Sequence, residues 1–182
     1  MLFHVLIRAR RQSDVDSLLD MVQLVKRVDG YPPRGPVDLE RFMVPPEQLS
    51  GWVAEIDSQV VGHVALHATG ANDTVDLAAR HTAKAPEDLA VVARVVVSPT
   101  ARRLGVGHAL LDTAVTGAYE RGQHPILEVA VHFDAAIGLY ESCGWSRVGE
   151  VTISFPDEPS LHRYVYIGPT PAQEQAAAVT RR

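Results

Sequence analysis

The sequence of 182 residues contains a single cysteine, Cys143, so it cannot form an intramolecular disulfide. Such sparing use of cysteine is typical of a reducing compartment, and we expect a cytoplasmic location. Cys143 itself is expected to be a small buried side chain. The eight histidines show no metal-ligand spacing beyond the pair His63 and His67, and no second cysteine supports zinc. We therefore expect no metal.

Positive charge and long apolar runs are also scarce. Lys and Arg number 17 against 22 Asp and Glu, which gives a net charge of −5. Nucleic acid normally requires a basic surface and is not an expected partner. No apolar stretch approaches the ~18 residues that a membrane span needs, so no membrane partner is expected either. The N-terminus places its apolar residues before Arg8, the reverse of a signal peptide.

The spacing of apolar side chains predicts one mixed α/β domain over residues 1–167, followed by a flexible tail at 168–182. Strands are predicted at 3–9, 51–56, 60–67, 89–97, 126–131, 147–154 and 161–167. Helices are predicted at 14–28 and 37–43, from Val106 to an end at Arg121-Gly122, and from Asp134 to Gly144. Residues 29–36 and 68–88 are expected to be irregular, with a helical turn at 74–80.

The stretch VVVSPTARRLGVGHALL, residues 95–111, combines the features of an anion site. A buried strand stops at Ser98-Pro99, two arginines follow, and glycines at 105 and 107 open a helix. The start of a helix presents unpaired N–H groups and a partial positive charge, and glycine lets a ligand approach the backbone closely. A phosphate group suits such a place.

Alone, the two glycines fit an ordinary turn better than a ligand site. Two nucleotide motifs are excluded. A P-loop requires Lys followed by Ser or Thr, which are missing here, and the dinucleotide fingerprint fails because position 110 is Leu.

A second element decides between these interpretations. Arg102-Arg103-Leu104-Gly105-Val106-Gly107 resembles the [Q/R]-x-x-G-x-[G/A] signature of the GNAT (Gcn5-related) N-acetyltransferases. The strand ILEVAV is followed by HFDAAIGLYESCGW, which is similar to the family's N-x-x-A-x-x-L-Y-x-x-x-G-[F/W]. The resemblance is firm over residues 89–150 and looser over 3–67. It implies a central mixed, mostly antiparallel sheet flanked by helices, and acetyl-CoA as cosubstrate.

The resemblance also implies roles for particular residues. Backbone groups of Val95, Val96 and Val97 would pair with the pantetheine arm of acetyl-CoA, and Tyr140 would face the thioester sulfur. The pyrophosphate would be held along the signature, by Arg102, Arg103, Leu104, Gly105, Val106, Gly107 and His108. Phe133 stands where the family usually has Asn, so one polar contact to the cofactor is expected to be missing or replaced by an apolar one.

Tyr140 is the candidate catalytic residue. A phenol stays protonated at neutral pH and can donate its proton to a leaving thiolate of pKa ~8.5. The general base stays open. The strand 89–97 lacks the glutamate that many family members carry, and the candidates are His63, His67, His81 and Glu128, none of which is preferred.

The function expected from this resemblance is acetyl transfer from acetyl-CoA to a primary amine of a small molecule or peptide, by direct attack on the thioester. The alternative is a domain that binds acyl-CoA without turnover, and a longer acyl donor is a third hypothesis. Acidic residues between 29 and 88 would favour a cationic acceptor. A homodimer is common in the family, and the edge at 147–167 is where contact is expected.

Overall fold

Strands and helices follow one another along the chain in nearly the order that the sequence predicts. The structure, a computed structural model, describes residues 4–32, 38–155 and 158–170. The strands are β1 (Leu6–Ala9), β2 (Gln48–Ile56), β3 (Gln59–His67), β4 (Leu89–Val97), β5 (His124–Ala130), β6 (Ser146–Phe155) and β7 (Glu158–Ile167). The helices are α1 (Val15–Asp29), α2 (Leu39–Met43), α3 (Asp73–Thr82), α4 (Val106–Glu120) and α5 (Asp134–Ser142).

The seven strands form one sheet in the order β1-β2-β3-β4-β5-β7-β6. The pairs β1–β2, β2–β3, β5–β7 and β6–β7 are antiparallel, whereas β4 and β5 run parallel. A mixed α/β fold with a mostly antiparallel sheet and flanking helices is therefore confirmed.

The largest departure from the sequence prediction is α3, a helix of ten residues where a long loop with one helical turn was expected. Asn72 accepts the N–H of Val75 and so caps the helix start. The predicted hairpin strands are each longer than expected. Phe3, residues 33–37 of the predicted irregular segment and short helix, and residues 171–182 of the predicted tail lie outside the described residues, and the domain boundary at 167 stays a prediction.

The chain forms two compact units. The first consists of the described residues of 1–67 together with 92–117, and the second consists of those of 68–91 together with 118–182. In the first unit α1 packs on β3 through an apolar stripe whose members lie three or four residues apart. The stripe shares a core with α2 and with β4, made of Leu18, Met21, Val22, Val25, Met43 and Val96.

Ion pairs around Arg8 join three elements of the first unit. The guanidinium donates to both carboxylate oxygens of Asp14, just before α1, at 2.7 and 2.8 Å, and to Glu55 of β2 at 2.5 Å. The hydrogen bonds from Arg8 lower the pKa of Asp14 to about 2. The carboxylate is thus held ionised and fixes the start of α1 against β1.

The start of α4 approaches β3 closely at Gly62. A Cβ at that position would lie 2.8 Å from Leu110 Cδ1, 2.9 Å from Val106 Cγ1 and 3.3 Å from the carbonyl oxygen of Val96. Only a residue without a side chain leaves room for the helix there. The end of β4 and the start of α4 are therefore held against the same point of β3.

In the second unit, α3 covers one face of the strands β5, β6 and β7. Its buried side chains Val75 and Ala78 share a core with Leu89, Ile126, Val151 and Val165. A polar contact adds to this packing, since Glu128 of β5 accepts from Thr74 of α3 and from Arg163 of β7. The segment predicted as a loop is thus anchored on the sheet by both apolar and charged contacts.

Replacing Gly62 by Ala should lower the free energy of unfolding by about 1–3 kcal/mol, because Leu110 and Val106 must move to admit the methyl group. Urea denaturation followed by circular dichroism measures this change. Gly138→Ala is the control, since no atom lies within 4 Å of its Cβ position in α5. That variant should be unchanged or more stable by about 0.5–1 kcal/mol, and an equal loss in both variants would contradict the close-approach argument.

Candidate active site

The backbone of β4 is locally distorted at Arg94, whose φ of 55° lies in the left-handed region. For a residue with a side chain this conformation costs roughly 1–2 kcal/mol, so surrounding contacts must hold it. His63 of β3 donates from Nδ1 to the carbonyl oxygen of Arg94 at 3.0 Å. The Arg94 Nε donates to the carbonyl oxygen of Phe42 at 2.7 Å, and its Cζ lies 3.7 Å from the centre of the Phe42 ring. The distortion is therefore fixed from two neighbouring elements.

β4 changes character on either side of this point. In the second unit, Leu89–Val91 pair with β5 in parallel register, ending at Val91↔Ile126. In the first unit, Val96 is 3% exposed and belongs to the core, whereas Val95 and Val97 are half-buried. The side chain of Val96 thus packs inside, and the chemistry available from residues 95–97 is that of their backbone groups.

The loop between β4 and α4 has the geometry of an anion cradle. Directly after β4, the N–H of Ser98 donates to the carbonyl of Val61 in β3. A 3-10 turn follows at Pro99–Ala101. Arg103 and Gly105 then take φ values of 62° and 80°. Left-handed residues in such a loop turn successive N–H groups toward one side, and the N-terminus of the 15-residue helix α4 adds its own.

Gly105 leaves open space at the centre of this loop. No atom lies within 4 Å of the position that its Cβ would occupy, and its carbonyl accepts the N–H of Ala109 in the first turn of α4. Leu104 is exposed, Gly107 and His108 are half-buried, and Val106 is 1% exposed and packs inside. An open loop lined by backbone donors fits a pyrophosphate, so the residues present fit this part of acetyl-CoA.

The guanidinium of Arg102, the first residue of the signature, is paired with the carboxylate of Asp29 at the end of α1. It donates to both oxygens, one at 3.1 Å. The pair is exposed, and such pairs add at most about 1 kcal/mol to stability. Its geometric effect is to tie the loop to α1. The sequence offered no signal for this contact, since the two residues lie 73 positions apart.

Tyr140 lies on α5 in the second unit and is 7% exposed. Its ring centroid lies 6.3 Å from that of Trp145 and 6.1 Å from that of Tyr166. The Tyr166 hydroxyl donates to Glu141 Oε1 at 3.0 Å, and burial, helped by this bond, raises the pKa of Tyr166 to about 12. The neutral Tyr166 thus anchors α5 and fixes the aromatic surroundings of Tyr140.

Phe133 precedes α5 at its N-cap position and is half-buried. Its ring centroid lies 4.4 Å from that of His132, and its carbonyl accepts the N–H groups of Ala136 and Ile137. The backbone of Phe133 therefore starts the helix. Its side chain presents an aromatic surface at the position where the family pattern has the amide of Asn.

The four candidate bases lie in different settings. Both oxygens of Glu128 already accept hydrogen bonds, and His81 is exposed with Nδ1 bonded to the carbonyl of Leu77. Burial lowers the pKa of His63 and of His67 to about 4, and the positive charge of Arg94 contributes in each case. Both imidazoles are therefore neutral at pH 7, and His63 is fully buried. The contacts of His63 therefore give it the role of holding the backbone of β4, and not that of a base for the acceptor amine.

Three further observations concern the described residues. An open cavity of about 330 Å³ is lined by Asp38, Glu40, Arg41, Val44 and Pro46. Among the described residues, no group of three or more His, Cys, Asp or Glu side chains could hold a metal ion. Over the same described ranges, no helix is long and apolar enough to cross a membrane.

The sequence matches the acetyltransferase (GNAT) family over residues 16–145. This match covers most of the chain, which therefore belongs to the GNAT family. The resemblance noted from the two motifs is confirmed.

Similar proteins agree with this assignment. A probable N-acetyltransferase, camello, of Xenopus tropicalis is 32% identical over 112 residues, which are 61% of this chain and 45% of that protein. The chain thus matches about half the length of this relative. A ribosomal-protein-alanine N-acetyltransferase from Brucella melitensis superposes with a TM-score of 0.68 at 22% identity, covering 91% of this chain and 99% of the other.

An acetyl-CoA complex of NAA60 from Arabidopsis thaliana gives a TM-score of 0.66 at 20% identity, covering 90% of this chain and 98% of that one. At these identities the two structures support the fold alone.

The lowered pKa of the two buried histidines predicts a pH-dependent stability. Between pH 6.5 and 4 the unfolded chain takes up protons that folded His63 and His67 do not, so the free energy of unfolding falls as the pH falls. His63 alone would contribute a loss of about 3 kcal/mol. Replacing His63 by Asn keeps an N–H donor for the Arg94 carbonyl and removes the titrating ring, so the slope between pH 6.5 and 4.5 should decrease.

Denaturant unfolding at a series of pH values measures this slope. His81→Asn, at an exposed position, is the control and should retain the wild-type slope. Asp14 also loses stability as the pH falls toward the ordinary pKa of an aspartate, but it is present in the wild type and in both variants, so its contribution cancels in the comparison. Equal slopes for wild type and the His63 variant would refute the assignment of a buried neutral imidazole.

Proposed function

We propose that the protein is an acetyl-CoA-dependent N-acetyltransferase that transfers the acetyl group to a primary amine of a small molecule or peptide. The observation that carries this proposal is the loop at residues 102–108, where Arg103 and Gly105 are left-handed immediately before α4. Membership of the family and the similarity to an N-acetyltransferase support the acetyl donor. The acceptor and direct attack on the thioester are parts of the proposal.

The cosubstrate would lie along the first unit's loop and strand. The N–H groups from Arg103 to His108 would hold its pyrophosphate, and backbone groups of Val95–Val97 would pair with the pantetheine arm as an added strand would. Arg102 would act through its pairing with Asp29, which positions the loop. Phe133 would offer an apolar contact. When bound, acetyl-CoA supplies an activated acetyl thioester.

Tyr140 would donate its phenolic proton to the sulfur as the thiol leaves. The nitrogen of the neutral amine forms a bond to the acetyl carbon and the carbon–sulfur bond breaks. The proton that the nitrogen then loses restores the phenol of Tyr140, directly or through solvent, so the products are the amide and the free thiol. A lysine-like amine of pKa ~10.4 is only about 0.04% neutral at pH 7, which adds roughly 4–5 kcal/mol to the barrier. Because Glu128 and His63 are engaged elsewhere, solvent would take the proton that an ammonium must lose before attack. An acceptor amine of lower pKa would already be neutral and would not need this step.

The acceptor is proposed to be cationic, on the basis of the acidic residues between 29 and 88. Two members of that set are already engaged, since Asp29 pairs with Arg102 and Asp38 accepts the N–H of Arg41 to cap α2. Glu40, on the open cavity beside α2, is exposed. A cytoplasmic location, independence of metals and a homodimer with contacts near 147–167 also stay predictions.

Release of free thiol on incubation with acetyl-CoA and a panel of amines tests the activity, and mass spectrometry of the products identifies the acceptor. Binding of acetyl-CoA without turnover on any amine would favour the alternative of an acyl-CoA sensor. Absence of both binding and turnover would refute the proposal.

Replacing Tyr140 by Phe should lower the turnover number about 10²-fold or more and leave the affinity for acetyl-CoA within about twofold, because only the proton donor is removed. Steady-state kinetics and calorimetric binding separate the two effects. Tyr119→Phe is the control, since it removes a half-buried hydroxyl that bonds Pro169 and His124 away from the aromatic cluster. Unchanged turnover in Tyr140→Phe would sink the assignment.

Replacing Gly105 by Ala should weaken acetyl-CoA binding about tenfold, because alanine disfavours the left-handed backbone that aims the loop's N–H groups. Gly122→Ala is a matched control at the other end of α4, with φ of 74° and equally open space around its Cβ position. Both variants should lose similar stability, but only the first should lose affinity. Equal affinity in the two, measured by calorimetry, would contradict the cradle.

A further inference from the structure

Arg94 connects two parts of the first unit that have different places in the proposed function. Its backbone belongs to β4, one residue before the segment proposed to pair with the pantetheine arm. Its side chain reaches α2, three of whose neighbouring or member residues, Asp38, Glu40 and Arg41, line the open cavity. A single residue therefore joins the strand proposed to bind acetyl-CoA to the helix that carries Glu40, one of the acidic residues on which a cationic acceptor is proposed.

Arg94 contacts α2 in two ways at once, through a hydrogen bond and through stacking on a ring. The Nε donates to the Phe42 carbonyl at 2.7 Å while the guanidinium stacks on the ring of the same residue, with Cζ 3.7 Å from its centre. The other side of Phe42 has a neighbour as well, because the Tyr31 ring centroid lies 6.2 Å from that of Phe42. A charged donor and a ring face act together, so neither a lysine nor an aliphatic residue could replace the pair.

The backbone end of the connection is equally constrained. The carbonyl of Arg94 accepts from His63, a fully buried side chain, and Val96 two residues later packs in the same core as Met43 of α2. A shift of the backbone at 94–97 would thus move the Arg94 side chain and the Val96 side chain together. Both of them contact the part of the core that holds α2.

α2 is suited to respond to such a shift. It has only five residues, and an isolated helix of that length does not persist in water. Its conformation depends on its tertiary contacts, of which the Arg94 bond to Phe42 and the packing of Met43 are two.

We propose that Arg94 is a positioning residue that couples acetyl-CoA binding on β4 to the conformation of α2. Occupation of the strand stabilises the left-handed backbone at Arg94, the side chain then holds Phe42, and α2 becomes more ordered. By linkage, acetyl-CoA raises the affinity for an acceptor that orders α2, and that acceptor raises the affinity for acetyl-CoA by the same factor. The inference rests on the proposed function, because it requires that acetyl-CoA binds to this strand.

Hydrogen exchange of the backbone amides of residues 39–43, measured by mass spectrometry with and without saturating acetyl-CoA, tests the coupling. In the wild type, acetyl-CoA should slow exchange in α2 about fivefold or more. In Arg94→Gly the slowing should be absent, and the affinity for acetyl-CoA should fall about tenfold. Glycine is chosen because it accepts a φ of 55° without strain, so that only the side-chain connection is lost.

Two further variants divide the connection into its parts. Phe42→Leu removes the ring and keeps the carbonyl acceptor, so it should retain part of the slowing. Arg94→Lys keeps the charge and loses the planar group. It replaces Arg94→Gly in the test if the glycine variant is not cooperatively folded. Each variant is compared at saturation with acetyl-CoA, so a weaker affinity does not imitate a lost coupling.

The outcomes distinguish the two proposals. If the wild type fails to bind acetyl-CoA, the proposed function and this inference both fail. If the wild type binds acetyl-CoA without slowing exchange in α2, or if Arg94→Gly and Arg94→Lys slow it as the wild type does, only the inference is overturned. Slowing in the wild type that is lost in the Arg94 variants and reduced in Phe42→Leu supports it.

Discussion

The hydrogen bond from His63 to the carbonyl of Arg94 is the contact on which the site in the first unit depends. The bond requires a proton on Nδ1, and burial, helped by the charges of Arg10 and Arg94, keeps the ring neutral at pH 7. Because the carbonyl is fixed, the left-handed backbone of Arg94 persists inside a strand. The direction of the following residues, and hence of the loop before α4, follows from it.

A second constraint is the close packing of α4 on β3 at Gly62. Val96, near the end of β4, and Val106 and Leu110, in the first two turns of α4, all meet the same glycine. The loop's two left-handed residues are thus held between a fixed strand and a fixed helix, and little freedom remains for them. A cradle of backbone donors is effective only when its N–H groups are aligned before the ligand arrives.

The second unit achieves order by a different route. The ring centroids of Trp145 and Tyr166 lie 6.3 and 6.1 Å from that of Tyr140, and Tyr166 holds α5 through its hydrogen bond to Glu141. α3 is fastened by Glu128, whose charge is shared between Thr74 and Arg163. Glu128, one of the candidate bases from the sequence, therefore uses both carboxylate oxygens to hold α3 and β7.

Much of the fold could be predicted from the sequence because the strands are apolar and are bounded by Pro, Gly and Asp. α3 was missed because its buried face is small, with Val75 and Ala78 among polar neighbours, and the contacts that stabilise it come from distant strands. The phosphate loop was predictable from local residue types and spacing. The conformation of Arg94 was not, since nothing in its residue type indicates a positive φ. Its partners, Phe42 and His63, lie 52 and 31 residues away.

The pairing of Arg102 with Asp29 has a consequence for how an anion reaches the loop. One of the two arginine charges beside the cradle is neutralised by its partner before any ligand arrives, so the long-range field of the site is weaker than its sequence indicates. The attraction that remains comes largely from N–H dipoles, which act over a few ångströms. The protein would therefore recognise its ligand after contact more than it would steer that ligand from a distance.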